Sequence, residues 1–166
     1  MALLDRLTKL LATICMIGVG LSFATLIVVV LIQVVGRTIG SSPVWTEELT
    51  RFALLYLAAF GVGLSLRSGD LVNVDVICDN LPAPLPWLLR LISAVLSGGL
   101  ALLLISHSWK FTAIGRMQTS PALGLRMTYV HFTVTLLLGL LFLFAALKVI
   151  GMLLGDDGIP LKHKEP

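Results

Sequence analysis

Trp45-Thr46-Glu47-Glu48-Leu49-Thr50-Arg51 stands directly before fifteen uncharged residues, Phe52 to Leu66, and the way these two stretches join decides the kind of protein this is. Fifteen residues at about 1.5 Å each reach only about 22 Å, short of the about 30 Å hydrocarbon core of a bilayer. A helix crossing here must therefore carry charge in its first turns. Counting back twenty positions from Leu66 lands on Glu47, and Ser42-Pro43 just upstream offers an N-cap followed by proline at the first helical position. Glu47 and Glu48 then lie near the positive end of the helix dipole, and Trp45 belongs in the interfacial belt. Glu47 and Arg51 are spaced i, i+4 with the acid first, the favourable order for a pair. Glu48, one position round the helix, is expected to need a partner from another chain or a lipid headgroup.

The rest of the chain asks for the same solvent. Of 166 residues 57% are hydrophobic and 13% charged, and the mean hydropathy is +1.00. A globular domain carries roughly a quarter charged residues. Three more stretches contain no Asp, Glu, Lys or Arg: Leu10 to Gly36, Leu91 to Trp109 and Met127 to Leu147. The reading is an all-α membrane protein, a single domain over residues 1–166 with four transmembrane helices at about 10–36, 47–66, 91–109 and 127–147. Arg6 and Lys9, the apolar run and Ser22-Phe23-Ala24 imitate a cleavable signal peptide, but the run continues through Leu26 to Val35, too long for a signal core. An uncleaved first span is expected.

Between Arg67 and Arg90, Pro82, Pro84 and Pro86 forbid a continuous helix, while Leu71, Val74, Cys78 and Leu81 make a helical stripe. A short interfacial helix in this second loop is expected. With both termini in the cytoplasm, seven cations (Arg6, Lys9, Arg67, Arg90, Lys148, Lys162 and Lys164) face inward against four outside (Arg37, Lys110, Arg116 and Arg126). That bias favours the amino terminus inside, although the loop from Lys110 to Arg126 has three cations and no acid.

No Asp, Glu, Lys or Arg lies at the middle of a span and no proline interrupts one, so neither a lone transporter nor a channel has the polar pathway it needs. Small multidrug exporters with four spans depend on a glutamate inside the first helix, which is missing here. Cys15 and Cys78 form no metal or disulfide pattern. His107 and His131 flank the third loop and raise bis-histidine haem ligation, as in a membrane anchor of a redox complex, but histidine beside Trp109 and Lys110 reads more simply as interfacial. No cofactor and no catalytic residue is expected. Small residues do recur at four-residue spacing: Gly18 and Ser22, Gly20 and Ala24, Ala59 and Gly63, Gly61 and Ser65, Ser93, Ser97 and Ala101, Ala94 and Gly98. Such positions let helices approach closely in lipid. With Trp45, Glu47, Glu48 and Arg51, the pair Ala59 and Gly63 is a candidate subunit contact. A faint echo, Gly36-Arg37 before Ser42-Pro43 and Gly115-Arg116 before Ser120-Pro121, is accounted for by shared hairpin chemistry.

The stretch Gln33-Val34-Val35-Gly36-Arg37, then Ser42-Pro43-Val44-Trp45-Thr46-Glu47-Glu48-Leu49-Thr50-Arg51-Phe52, Phe60-Gly61, Leu66-Arg67-Ser68-Gly69 and Val74-Asp75, resembles the small membrane subunit of TRAP (tripartite ATP-independent periplasmic) transporters, the DctQ-like family. Gln118 to Val130 is similar to that family's entry into its fourth helix. Leu71-Val72 departs from a common His-Ile pair, and Arg126 from a common proline. The resemblance implies a bacterial inner-membrane complex in which a large multi-span permease carries an organic acid with sodium, supplied by a periplasmic substrate-binding protein. This chain is then the companion subunit, with no substrate or sodium site of its own. The rival reading is an anchor or accessory subunit of a redox complex.

Overall fold

The computed structural model describes residues 2–41, 43–68 and 85–154. Four long helices cover nearly all of them: α1 (Ala2–Thr38), α2 (Trp45–Ser68), α3 (Leu85–Ile114) and α4 (Thr128–Leu153), with a 3-10 turn, Gly115–Met117, closing α3. All four are long and apolar enough to cross a membrane. The second loop, where the interfacial helix is expected, lies outside the described residues.

The helices run past the charge-free stretches that announce them. Arg6 and Lys9 lie within α1, Arg90 and Lys110 within α3, and Lys148 within α4. At about 1.5 Å per residue α1 is about 55 Å long, so it projects beyond the hydrocarbon or tilts. Long side chains near helix ends keep their charges at the interface while the backbone stays helical.

The order of packing is a row. α1 packs on α2, α2 on α4, and α4 on α3; α1 touches α4 only slightly, and among the described residues α3 meets neither α1 nor α2. Each hairpin therefore has one outer helix (α1, α3) and one central helix (α2, α4), and the two hairpins join along the α2–α4 seam. A row has two broad faces open to lipid. That explains why Leu96, Leu103 and Leu21 are largely exposed without penalty: in a bilayer they meet hydrocarbon as apolar as themselves.

Small residues mark the seams. A Cβ on Gly18 would sit 2.6 Å from the Phe60 ring, and one on Gly63 would sit 2.6 Å from the Phe144 ring, so α1–α2 and α2–α4 close over these glycines. Ala145 meets Gly98 across α3–α4. Hydroxyls add to this last seam: Thr135 Oγ1 lies 3.0 Å from Ser108 Oγ and 2.9 Å from Thr112 Oγ1. By contrast Gly20, Gly61, Gly99 and Gly139 face open space. Gly63→Ala is therefore expected to destabilise by about 1 to 3 kcal/mol through overpacking, whereas Gly61→Ala, two residues away and unobstructed, is neutral or slightly stabilising. Thermal unfolding of the two variants in detergent checks the contrast.

Candidate functional site

The charged cluster at the start of α2 occupies the end of the row where α1 and α3 finish and α4 begins. The start of α2 is built locally. The Pro43 carbonyl accepts the Thr46 N–H at 3.2 Å and the Thr46 hydroxyl at 2.7 Å, and the Thr50 hydroxyl returns to the Thr46 carbonyl at 2.8 Å. Pro43 thus stands in the turn before the helix, and α2 opens at Trp45, not at Pro43 as the Ser42-Pro43 cap predicts. The proline carbonyl, holding both Thr46 donors, anchors the first turn. Thr46 is fully buried at 0% exposure, while Trp45 is half-buried.

Facing it is the loop that joins α3 to α4. After the 3-10 turn the chain makes a small hairpin: Met127 N–H donates to the Gln118 carbonyl at 2.9 Å, Ser120 N–H to the Leu125 carbonyl at 2.8 Å, and Thr119 bridges Arg126. The tip turns sharply at Pro121, and Gly124 N–H closes it on the Ser120 carbonyl at 3.0 Å. Gly124 has φ +65°, a conformation in which glycine carries no Cβ penalty. Turning this way leaves the N–H groups of Ala122 and Leu123 pointing together without a backbone partner, a concavity that suits an anion.

Glu48 fills it. Its carboxylate accepts the Ser120 hydroxyl, the Ala122 N–H at 3.3 Å and the Leu123 N–H at 3.2 Å. Arg51, one turn along α2, attracts the same carboxylate electrostatically. This corrects two expectations. The partner of Glu48 is the chain's own loop, 72 to 75 residues away in sequence, not a second chain or a lipid. Among the described residues no ion pair joins Glu47 to Arg51, and both remain exposed. The i, i+4 spacing permits a pair, but an exposed pair of this kind gains only about 0.3 to 0.5 kcal/mol, too little to hold two long side chains together.

One level further along the seam, the Tyr56 hydroxyl donates to the Tyr129 carbonyl at 2.8 Å in the first turn of α4. One level beyond that, Gly63 meets Phe144. The remaining pair of candidates faces inward in this chain: Ala59 is at 0% exposure, and Gly63 is buried under Phe144. The sequence reading missed Thr46, Tyr56 and Ser120 as structural partners. Ser120-Pro121 followed by Gly124 was a visible turn signal, yet nothing in it names Glu48 as the group that docks there.

The histidines sit elsewhere. His131 stacks on Phe111 with ring centroids 4.0 Å apart, and its Nδ1 approaches the Phe111 carbonyl at 3.2 Å. His107 is exposed on α3, with Nδ1 3.4 Å from its own helix's Leu103 carbonyl. Among the described residues no group of three or more His, Cys, Asp or Glu could hold a metal ion. What the cluster does chemically is position a loop. Satisfying backbone N–H groups close to the hydrocarbon is obligatory, and a single side chain of α2 does it for the entry to α4.

If that is its role, Glu48→Ala lowers thermal stability in detergent. Ser120→Ala lowers it too, and adding Ser120→Ala to Glu48→Ala produces much less than the sum, because the two changes break one contact. Additive losses in this double-mutant cycle would mean that the two residues act separately.

A comparison with curated proteins finds no match. The sequence profile of the tripartite ATP-independent periplasmic transporters, DctQ component, matches residues 26–155, which takes in all of α2, α3 and α4, the last part of α1, and the loops that follow α1 and α3. This span contains the Glu48 cluster and the loop it holds, so the chain belongs to the DctQ family, the small membrane component of TRAP transporters.

Proposed function

We propose that this chain packs against and stabilises the large permease of a sodium-coupled, binding-protein-dependent transporter of organic acids, without binding substrate or sodium itself. Family membership supports the partnership in general terms. The observation that carries the scaffold role is the row of helices. Among the described residues the polar contacts between elements hold helix to helix or helix to loop, other hydroxyls return to their own helix, and the two broad faces are largely apolar. A protein that moves a polar solute needs ionisable groups or broken helices near mid-membrane. A protein that widens and steadies another's footprint in the bilayer needs rigid, apolar faces.

In this reading the amino and carboxyl termini face the cytoplasm, and the Glu48 cluster lies at the periplasmic side of the inner membrane. Trp45, Glu47 and Arg51, which the chain leaves half-buried or exposed, act in assembly, and Glu48 acts at one remove by holding the loop that borders them. The outer loops are also placed to meet the substrate-binding protein.

Four measurements test this. Reporter fusions after Gly155 are expected to be active in the cytoplasm only; periplasmic activity would reverse the topology. Deleting the chain is expected to abolish uptake, and Arg51→Ala is expected to lower uptake or complex recovery at unchanged sodium dependence. Full transport by liposomes holding only the permease and the binding protein would defeat the scaffold role, and an altered apparent sodium affinity in Arg51→Ala would place the cluster in the coupling machinery.

A further inference from the structure

A groove of about 270 Å³ opens between α1, α2 and α4, lined by Leu21, Ser22 and Thr25 of α1, by Leu49, Phe52 and Tyr56 of α2, and by the entry to α4 at Tyr129 and Val130. Its upper end lies under the hairpin that Glu48 holds, through Leu125. Its lower end is marked by Ser22. This serine is only 9% exposed, lines the groove, and has no hydrogen-bond partner among the described residues. The contrast with its neighbours is direct: Thr13 and Thr25 on the same helix return their hydroxyls to the carbonyl four residues back.

The depth of Ser22 decides what can answer it. Gly18 is level with Phe60, so Ser22, one turn further out, is level with Tyr56. It lies twelve residues inside one end of the charge-free stretch Leu10 to Gly36 and fourteen from the other, about 18 Å and 21 Å along the helix, and so belongs within the hydrocarbon. Lipid at that depth is hydrocarbon and offers no acceptor, and the site is too apolar to hold water without several polar partners. Only a protein helix carries polar groups there. The outer rim adds a second complementarity: Arg126, beside Leu125, and Arg37, at the end of α1, are exposed cations on this end of the row, suited to acidic groups at the outer edge of a partner.

Resting on the scaffold reading above, we infer that this groove receives one transmembrane helix of the large permease, which inserts apolar side chains between α1, α2 and α4 and presents a hydrogen-bonding group to Ser22. α3, at the far edge of the row, takes no part in this contact. The pinned loop closes the top of the groove, so Glu48 sets its width without touching the partner.

The test uses the intact complex, co-expressed in membranes, with a photo-reactive phenylalanine analogue placed at Leu21, Thr25 or Leu49 in the groove and at Leu103 on α3. Groove positions are expected to give a cross-linked product of the chain plus the permease, and Leu103 none. Ser22→Ala is expected to lower permease recovery in detergent about threefold, the scale of one interhelical hydrogen bond, and Ser22→Thr to restore it. Cross-links from the groove to lipid alone, or to a second copy of this chain, would overturn the inference, as would permease cross-links confined to Leu103. In each of those cases a complex that still co-purifies leaves the scaffold reading standing. Failure of the unmodified chain to recover the permease at all would remove both.

Discussion

The α2–α4 seam is the contact on which this architecture depends, because it is the main bond between two helical hairpins that otherwise share little. In water the hydrophobic effect would draw all four helices into a closed bundle. In lipid that drive is absent, and association rests on close packing and on hydrogen bonds between helices. The seam supplies both at three levels: the Glu48 carboxylate on the loop tip, the Tyr56 hydroxyl on the Tyr129 carbonyl, and the Phe144 ring over Gly63. Polar contacts hold the half where α2 and α4 begin and packing holds the other half, so α2 and α4 are fixed in register as well as in distance.

The same seam explains why charge is tolerated at the start of α2. A carboxylate near hydrocarbon is expensive unless its lone pairs are answered, and a hairpin tip near hydrocarbon is expensive unless its N–H groups are answered. Glu48 and the Ser120–Leu123 tip solve each other's problem. Two unfavourable features become one favourable contact, and the loop that introduces α4 acquires a defined position.

The row arrangement also shapes what the chain can offer to others. With α1 and α3 at opposite edges, most outward positions are aliphatic, and Gly20, Gly61, Gly99 and Gly139 each have open space where a Cβ would stand. The groove between α1, α2 and α4 is where this smooth surface is broken by shape and by an unanswered hydroxyl. A scaffold of this kind acts through its rigidity and its outline, and its internal polar contacts serve function by keeping that outline constant.

Much of this was determined by composition and spacing alone. Four charge-free stretches demand four helices, because a bilayer leaves a backbone few other ways to satisfy itself. The fifteen-residue run from Phe52 to Leu66 forces Glu47, Glu48 and Arg51 into the first turns of α2, and the Pro-x-Trp-Thr-Glu-Glu opening carries the resemblance to the DctQ family. Helix neighbours were beyond its reach, since apolar faces in lipid are nearly interchangeable and small residues occur on buried and open sides alike. Gly61 and Gly63 differ by two positions, yet only Gly63 lies under an aromatic ring. The partner of Glu48 was equally hidden. Local spacing offers Arg51 to Glu47 and leaves Glu48 without a local donor, whereas the N–H groups it accepts converge only when α2 and α4 pack and the Pro121–Gly124 turn closes. Such backbone donors carry no side-chain signature, so only the tertiary structure decided where that carboxylate goes.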